Sequence, residues 1–373
     1  MDMADKNAEY FMRLALKEAK KGLGRTSPNP CVGAVIVKNN MVIATGYHKK
    51  AGTPHAEIHA LQMAGKNAVG ADMYVTLEPC NHRGRTGPCS HAVADSGIRK
   101  VIVGLRDPNP LVDGSGLDYL RGRGIEVSSG VLEKACRDIN KPFLKYIVSS
   151  RPWVTIKAGL SLDGRLSYHH GEGGKITGPD SFRKVHRLRD VFDAILVGIG
   201  TVKADNPSLT ARIPRGKGKD PVRIILDSKL QIDETARVLD VENGGYAWIF
   251  CLETEDSDKI KRLTRQGVTV FPVAPDKDNR IDLDVVLKVI AEQGMTSVMV
   301  EGGATVHGSF LREGLVDHAY LFYAPIFAGD RGVPLVTGLE VHGGKKSAIK
   351  LVDVSTRRYG NDWMVSGDVV YPD

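Results

Sequence analysis

The triplet His55-Ala56-Glu57, followed by Glu78-Pro79-Cys80 and then Pro88-Cys89, is the stretch on which the reading of this chain turns. It offers one imidazole, two thiols and one carboxylate that can converge on one cation. Zinc favours tetrahedral nitrogen and sulfur donors, and a catalytic site keeps one position open for water. His55, Cys80 and Cys89 supply three ligands, and two thiolates offset the charge of the ion. Zinc lowers the pKa of coordinated water towards roughly 7. Glu57 then reads as a proton carrier between that water and a substrate. A structural site would need a fourth protein ligand, for which His82 and His91 are the candidates, and it would have no use for Glu57. The flanking pattern predicts one helix over residues 55–64 and another over 89–96, closed by Gly97. Helix N-termini stabilise thiolates placed at them.

Working outward, 373 residues suffice for two domains with ample core. Apolar content of 42% and charged content of 25% are ordinary for a globular chain. The net charge of +7 suits phosphorylated substrates and does not by itself indicate nucleic acid. Residues 1–10 are polar and lack the apolar core of a signal peptide, and no run is long enough to span a bilayer. Five cysteines fit a reducing cytoplasm with metal-bound thiols better than a disulfide framework. Cys31, Cys136 and Cys251 read as buried small apolar residues.

The first half opens on an amphipathic helix carrying Ala8, Phe11, Met12, Ala15, Ala19 and Leu23. The rigid loop Thr26-Ser27-Pro28-Asn29-Pro30 follows. Apolar runs 31–37 and 41–47, joined through Asn39-Asn40, predict a hairpin. Strands are expected at 73–77, 100–105 and 125–127, and a helix at 117–124, giving a mixed sheet with helices on its faces. The H-x-E and P-C…C pattern is similar to that of zinc deaminases. Pro28-Asn29-Pro30, His55-Ala56-Glu57 and the run from Pro79-Cys80 through Gly84-Arg85-Thr86-Gly87 to Pro88-Cys89 resemble the bacterial bifunctional riboflavin-biosynthesis deaminase–reductase family. The long insert between the cysteines separates this pattern from the C-x-x-C spacing of cytidine and tRNA adenosine deaminases. Gly87 stands where family members usually carry a further proline.

The resemblance implies a cytidine-deaminase-like domain over 1–148, holding one zinc ion per chain. It implies hydrolytic deamination of 2,5-diamino-6-ribosylamino-4(3H)-pyrimidinone 5′-phosphate, with Asn29, His48, Arg85 and Asn109 as substrate contacts.

In the second half, strands are expected at 153–160, 192–197, 222–226, 246–250, 297–300 and 319–323, alternating with helices such as 304–313. That alternation argues a largely parallel, doubly wound sheet. Gly198-x-Gly200 and Gly302-Gly303 fall at strand-to-helix turns, where backbone N–H groups can approach phosphate. A G-x-G-x-x-G fingerprint is absent. Leu162-Asp163-Gly164-Arg165, the run from Val197-Gly198 to Ala211-Arg212, and Val300-Glu301-Gly302-Gly303 are similar to the reductase half of the same family. A dihydrofolate-reductase-like domain over 149–373 is thereby implied, using NADPH to reduce the ribosyl group of 5-amino-6-(5-phosphoribosylamino)uracil to ribityl.

By the same resemblance, Gly159, Lys175, Thr177, Thr201, Asp205, Ser228 and the turn Gly303, Ala304, Thr305, Val306, His307, Gly308, Ser309 bind NADPH. Lys175 replaces the tryptophan that bacterial relatives often have. Ser228, with Lys229 as countercharge, would favour NADPH over NADH. Gly173, Arg189, Leu209, Arg212 and Glu301 line the substrate, and the two guanidinium groups suit its 5′-phosphate. Asp163 reads as a turn former, and no proton donor for the reduction stands out. The family resemblance also implies a homo-oligomer, dimer or tetramer, built through the reductase half, in the cytoplasm, with no nucleic-acid or membrane partner.

Overall fold

The computed structural model describes residues 3–82, 87–109, 114–214, 216, 218–241, 245–253 and 256–372. Arg85 therefore lies outside the described residues, as do Arg215 and Lys217. The chain forms two compact units, Met1–Arg151 and Pro152–Asp373.

In the first unit, α1 (Met3–Ala19) precedes the hairpin of β1 (Gly33–Lys38) and β2 (Met41–Tyr47). Asn39 and Asn40 at its tip have φ of 52° and 59°, which matches the right-handed twist of the strands they join. Then come α2 (Ala56–Ala64), β3 (Asp72–Leu77), α3 (Cys89–Asp95), β4 (Lys100–Leu105), α4 (Ser115–Gly122), β5 (Glu126–Ser129) and α5 (Glu133–Ser149). The sheet order is β2-β1-β3-β4-β5. β1 runs antiparallel to both neighbours, while β3, β4 and β5 are parallel. The parallel pairs follow from the helical crossovers α3 and α4.

Phe11, Met12, Ala15 and Leu16 of α1 join the buried core. The helix backbone comes so close to β1 that a Cβ on Gly33 would lie 2.0 Å from the Ala15 carbonyl oxygen. Helix α5 was not read from the sequence. It continues through Pro142, a residue that ordinarily ends helices, and buries Cys136, Asn140 and Phe143.

The second unit contains β6 (Trp153–Leu160), α6 (Pro179–Arg189), β7 (Ala194–Gly198), α7 (Ile199–Asp205), β8 (Val222–Leu226), β9 (Ala247–Leu252), α8 (Ser257–Arg265), β10 (Thr269–Val273), α9 (Leu283–Glu292), β11 (Ser297–Val300), α10 (Ala304–Arg312), β12 (His318–Tyr323), β13 (Lys350–Tyr359) and β14 (Asp362–Val370). Its nine strands are ordered β10-β9-β8-β7-β11-β6-β12-β14-β13. The seven from β10 to β12 are parallel, and the closing β13–β14 hairpin is antiparallel. Period-two alternation sends Ile195 and Val197 into the core on one face and Ala194 and Leu196 into the core on the other.

Buried Asp193 ties β7 to β11 at their N-terminal ends. Its Oδ2 accepts from the Thr296 and Ser297 amides at 3.0 and 3.2 Å and from both hydroxyls at 3.1 and 3.0 Å. The opposite, C-terminal edge of the parallel strands is left for ligands, as is general in open α/β sheets.

Candidate active sites

The first site forms where β3 ends and two helices begin. His55 is the N-cap of α2, and Cys89 is the first residue of α3. Cys80 follows β3, and its carbonyl accepts from the Ser90 amide at 3.1 Å. His55 Nδ1 lies 3.6 Å from Cys80 Sγ and 3.3 Å from Cys89 Sγ. Tetrahedral zinc with ordinary bond lengths would separate a nitrogen and a sulfur ligand by about 3.5 Å, so the donor set fits the ion. Among the described residues, no further His, Cys, Asp or Glu joins this group. His91 stacks on Tyr119 with centroids 4.1 Å apart, and His82 is exposed. The geometry thus lacks the fourth protein ligand that a structural site would require.

The electrostatics set the two thiols apart. The hydrogen bond with Cys89, helped by His55, holds Cys80 down to about 4, while the proton shared between the sulfurs pushes Cys89 up. Burial pushes the Glu57 carboxyl up to about 7 against the pull of His55. Glu57 is buried and its Oε2 has no hydrogen-bond partner. A buried acceptor left unmet normally carries a cost.

His48 is 2% exposed, and its ring stands edge-on to that of His55 at 5.1 Å. Its Nδ1 lies 3.3 Å from the Pro54 carbonyl and its Nε2 lies 3.2 Å from Asn29 Nδ2. The ring therefore donates to Pro54 and accepts from Asn29. Burial holds it below the ordinary imidazole value, hence neutral. The Asn29 loop is pinned from α5. Asn140 Oδ1 accepts from the Cys31 amide at 2.8 Å, and its Nδ2 donates to the Cys31 carbonyl at 3.0 Å. Asn109 is half-buried, and its amide donates to Asp107 Oδ1 at 3.0 Å in a turn after β4. Burial raises Asp107 to about 6.

The second site is a cleft of about 1060 Å³ along the C-terminal edge of the large sheet. Of the residues expected there, Gly159, Gly173, Lys175, Thr177, Arg189, Thr201, Asp205, Leu209, Arg212, Ser228, Glu301, Gly303, Ala304, Thr305, Val306 and Ser309 line it. His307 and Gly308 do not; they lie on the packed side of α10. His307 is fully buried with Nδ1 3.1 Å from the Leu335 carbonyl, and a Cβ on Gly308 would lie 1.8 Å from the Thr337 oxygen. The turns at Gly198 and Gly302 converge, since a Cβ on either would come 2.8 Å from Val306. Gly173 approaches so closely that a Cβ would lie 1.9 Å from Asp205 Oδ1.

Glu301 anchors the floor of the cleft. Arg189 meets it with two parallel bonds, Nε to Oε1 at 2.8 Å and Nη2 to Oε2 at 2.9 Å, and Lys157 Nζ lies 2.9 Å from Oε2. These cations hold the buried carboxyl well below its usual range despite desolvation. Arg189 thus lines the cleft with its guanidinium paired to Glu301. Lys157 escaped the sequence reading, although a lysine inside the apolar strand 153–160 was a usable signal. Lys175 places its ammonium 4.8 Å from the centre of the Phe182 ring. Lys229 does not line the cleft, whereas Arg237, on the same loop as Ser228, does. Asp163 accepts from the Ala328 and Gly329 amides at 3.0 and 2.8 Å, which ties its loop to a segment distant in the chain.

The two units define a class: a metal-dependent deaminase fold joined to an α/β reductase fold. Residues 5–105 match the cytidine and deoxycytidylate deaminase zinc-binding region, and residues 152–365 match the RibD C-terminal domain. The chain is 46% identical over 331 residues to the riboflavin biosynthesis protein RibD of Bacillus amyloliquefaciens, covering 88% of each. It is 40% identical over 345 residues to the Escherichia coli K12 protein of the same name, covering 89% of this chain and 92% of that one. Among solved structures, RibD of Acinetobacter baumannii superposes with a TM-score of 0.87 at 35% identity, covering 98% and 99% of the two chains. The Thermotoga maritima diaminohydroxyphosphoribosylaminopyrimidine deaminase/5-amino-6-(5-phosphoribosylamino)uracil reductase gives 0.85 at 36%, covering 99% and 100%. The chain belongs to the RibD family of riboflavin biosynthesis proteins.

Proposed function

We propose that the first unit deaminates 2,5-diamino-6-ribosylamino-4(3H)-pyrimidinone 5′-phosphate, and that the second reduces the ribosyl group of the deaminated product to ribityl. The chain is a bifunctional deaminase and reductase of riboflavin biosynthesis. His55, Cys80 and Cys89 would hold one zinc ion, whose Lewis acidity makes water nucleophilic near neutral pH. Glu57 takes the proton of that water and delivers it to the ring nitrogen, then carries the hydroxyl proton of the hydrated pyrimidine to the amine, which leaves as ammonia as the carbonyl forms. Asn29 and neutral His48 orient the pyrimidine, with Arg85 and Asn109 as further contacts.

In the second unit, NADPH would supply a hydride to the first carbon of the opened ribosyl group. The glycine turns at Gly198 and Gly302–Gly303 give its phosphates backbone N–H groups at helix starts. Gly159, Thr177, Thr201, Asp205 and Ser228 complete that surface. Lys157 and Arg189, both paired with Glu301, form the floor of that cleft. The reading carries with it a cytoplasmic location and a homo-oligomer built through the second unit, both implied by the family resemblance. Among the described residues, no helix is long and apolar enough to cross a membrane.

The observation that carries the deaminase assignment is the buried Glu57 Oε2, without a hydrogen-bond partner, beside three convergent metal donors. Glu57→Gln keeps the shape and removes the base. Ammonia release should fall by at least about a hundredfold, with zinc content unchanged and NADPH oxidation on supplied deaminated pyrimidine intact. Undiminished ammonia release would sink the assignment.

A further inference from the structure

Helix α6 starts without a side-chain cap of its own. Its N-cap is Gly178, and Pro179 at the first helical position has no N–H. The third helical position holds Ser181, where a capping box would place Glu or Gln to accept from the N-cap amide. That acceptor comes instead from the far end of the chain. The Gly178 amide donates to Asp362 Oδ2 at 2.7 Å, although the two residues are 184 positions apart. Asp362 is 3% exposed and opens β14, where it pairs with Tyr359 across the tip of the closing hairpin. The same tip presses on the first turn of α6, since a Cβ on Gly360 would lie 2.7 Å from Asp180 Oδ2.

This bond ends a segment that has few other fastenings. Among the described residues, no backbone–backbone hydrogen bond ties residues 168–177 to the rest of the unit. Further back in the segment, the Gly174 amide meets the Asp205 carboxylate. Beyond that point, Lys175 and Thr177 line the cleft. A Cβ on Gly159 of β6 would lie 3.3 Å from Thr177 Cγ2 and Oγ1. Thr177 immediately precedes Gly178, so the anchor at Gly178 sets where this wall of the cleft stands.

We propose that Asp362 is a positioning residue for the cofactor. From the hairpin tip it fixes Gly178, and through Gly178 it holds Thr177 against Gly159, so the wall is in place before NADPH arrives. This rests on the reading of the cleft as the NADPH site. A segment free to leave that place holds the binding geometry for only a fraction of the time, and apparent affinity falls by that fraction.

The test is NADPH binding to the full-length protein, followed by cofactor fluorescence without substrate and well below the unfolding temperature. Asp362→Ala removes the acceptor. Its apparent Kd should rise about tenfold, as for a wall in place about one-tenth of the time. Asp362→Asn keeps an oxygen at the same reach and should bind within about threefold of wild type. Tyr371→Phe is the control for stability alone. It deletes the 2.9 Å bond from the Val316 amide, and neither residue lines the cleft. Its Tm should fall with the Kd unchanged. Hydrogen exchange of the cofactor-free protein gives a second readout: residues 168–178 should exchange faster in Asp362→Ala and not in Tyr371→Phe. Asp362→Ser, too short to reach Gly178, replaces the alanine variant should that chain not fold. Wild-type Kd or unchanged exchange in Asp362→Ala, or equal weakness in Asp362→Asn or Tyr371→Phe, would each overturn the proposal. If wild type binds NADPH and Asp362→Ala binds it as tightly, only the role of Asp362 falls. If wild type shows no saturable binding, the reading of the cleft falls with it.

Discussion

The two sites are assembled in opposite ways. The first draws His55, Glu57, Cys80 and Cys89 from one short stretch, and they meet at two helix starts and a strand end that follow one another in the chain. The second joins Lys157 of β6, Arg189 of α6 and Glu301 after β11, which meet only because β6 and β11 are neighbours in the sheet. Their charge balance differs too. The first is an electron-rich set of donors that a cation must complete, whereas in the second one carboxylate is matched by two cations of the chain itself. A site made from local sequence can be recognised as a motif. A site made by topology exists only once the sheet has formed.

That contrast is tested most severely at Glu301. Glu301→Gln would leave Arg189 and Lys157 buried without their counter-ion, a loss of about 3–5 kcal/mol. Thermal unfolding should show the second unit destabilised and NADPH oxidation abolished, while ammonia release from the first unit persists. Loss of both activities would show that the two sites do not stand independently.

A smaller effect concerns acid. Burial holds His307 down to about 4, so the folded second unit keeps this ring neutral. Below the ordinary imidazole value the unfolded chain takes up a proton that the folded chain refuses. The contribution is complete above about pH 6.5 and is lost as pH falls towards 4, amounting to about 3 kcal/mol. Urea unfolding of the second unit at pH 7 and pH 5 should show the decline, and His307→Gln should flatten it. An unchanged slope in that variant would assign the acid sensitivity elsewhere.

The smallest effect is expected at Asn140, whose side chain bonds both the amide and the carbonyl of Cys31. Asn140→Ala should cost about 1–3 kcal/mol and raise the KM for deamination, leaving zinc content and NADPH oxidation unchanged. A fall in zinc content would mean that the metal site depends on this loop after all.

How much was legible followed the same division. The hairpin through Asn39-Asn40, the helices at His55 and Cys89 and the central strands of both sheets could be read because their apolar periodicity and turn residues agree locally. Helix α5 was hidden by Pro142. The β13–β14 hairpin was missed because β13 is exposed along nearly its whole length and shows no apolar alternation. Lys157 carries no motif; its meaning comes from neighbours distant in the chain. The pairing of Arg189 with Glu301 was hidden for the same reason, since the two residues are far apart in sequence.

The Asn140 clamp has a consequence for biosynthesis. A ribosome delivers the three metal donors well before it delivers Asn140, so a nascent chain can capture its ion while the Asn29 loop is still unfastened. Substrate recognition would then be acquired last, when the closing helix α5 has emerged. Chains stalled before that helix should load metal yet discriminate poorly among pyrimidines.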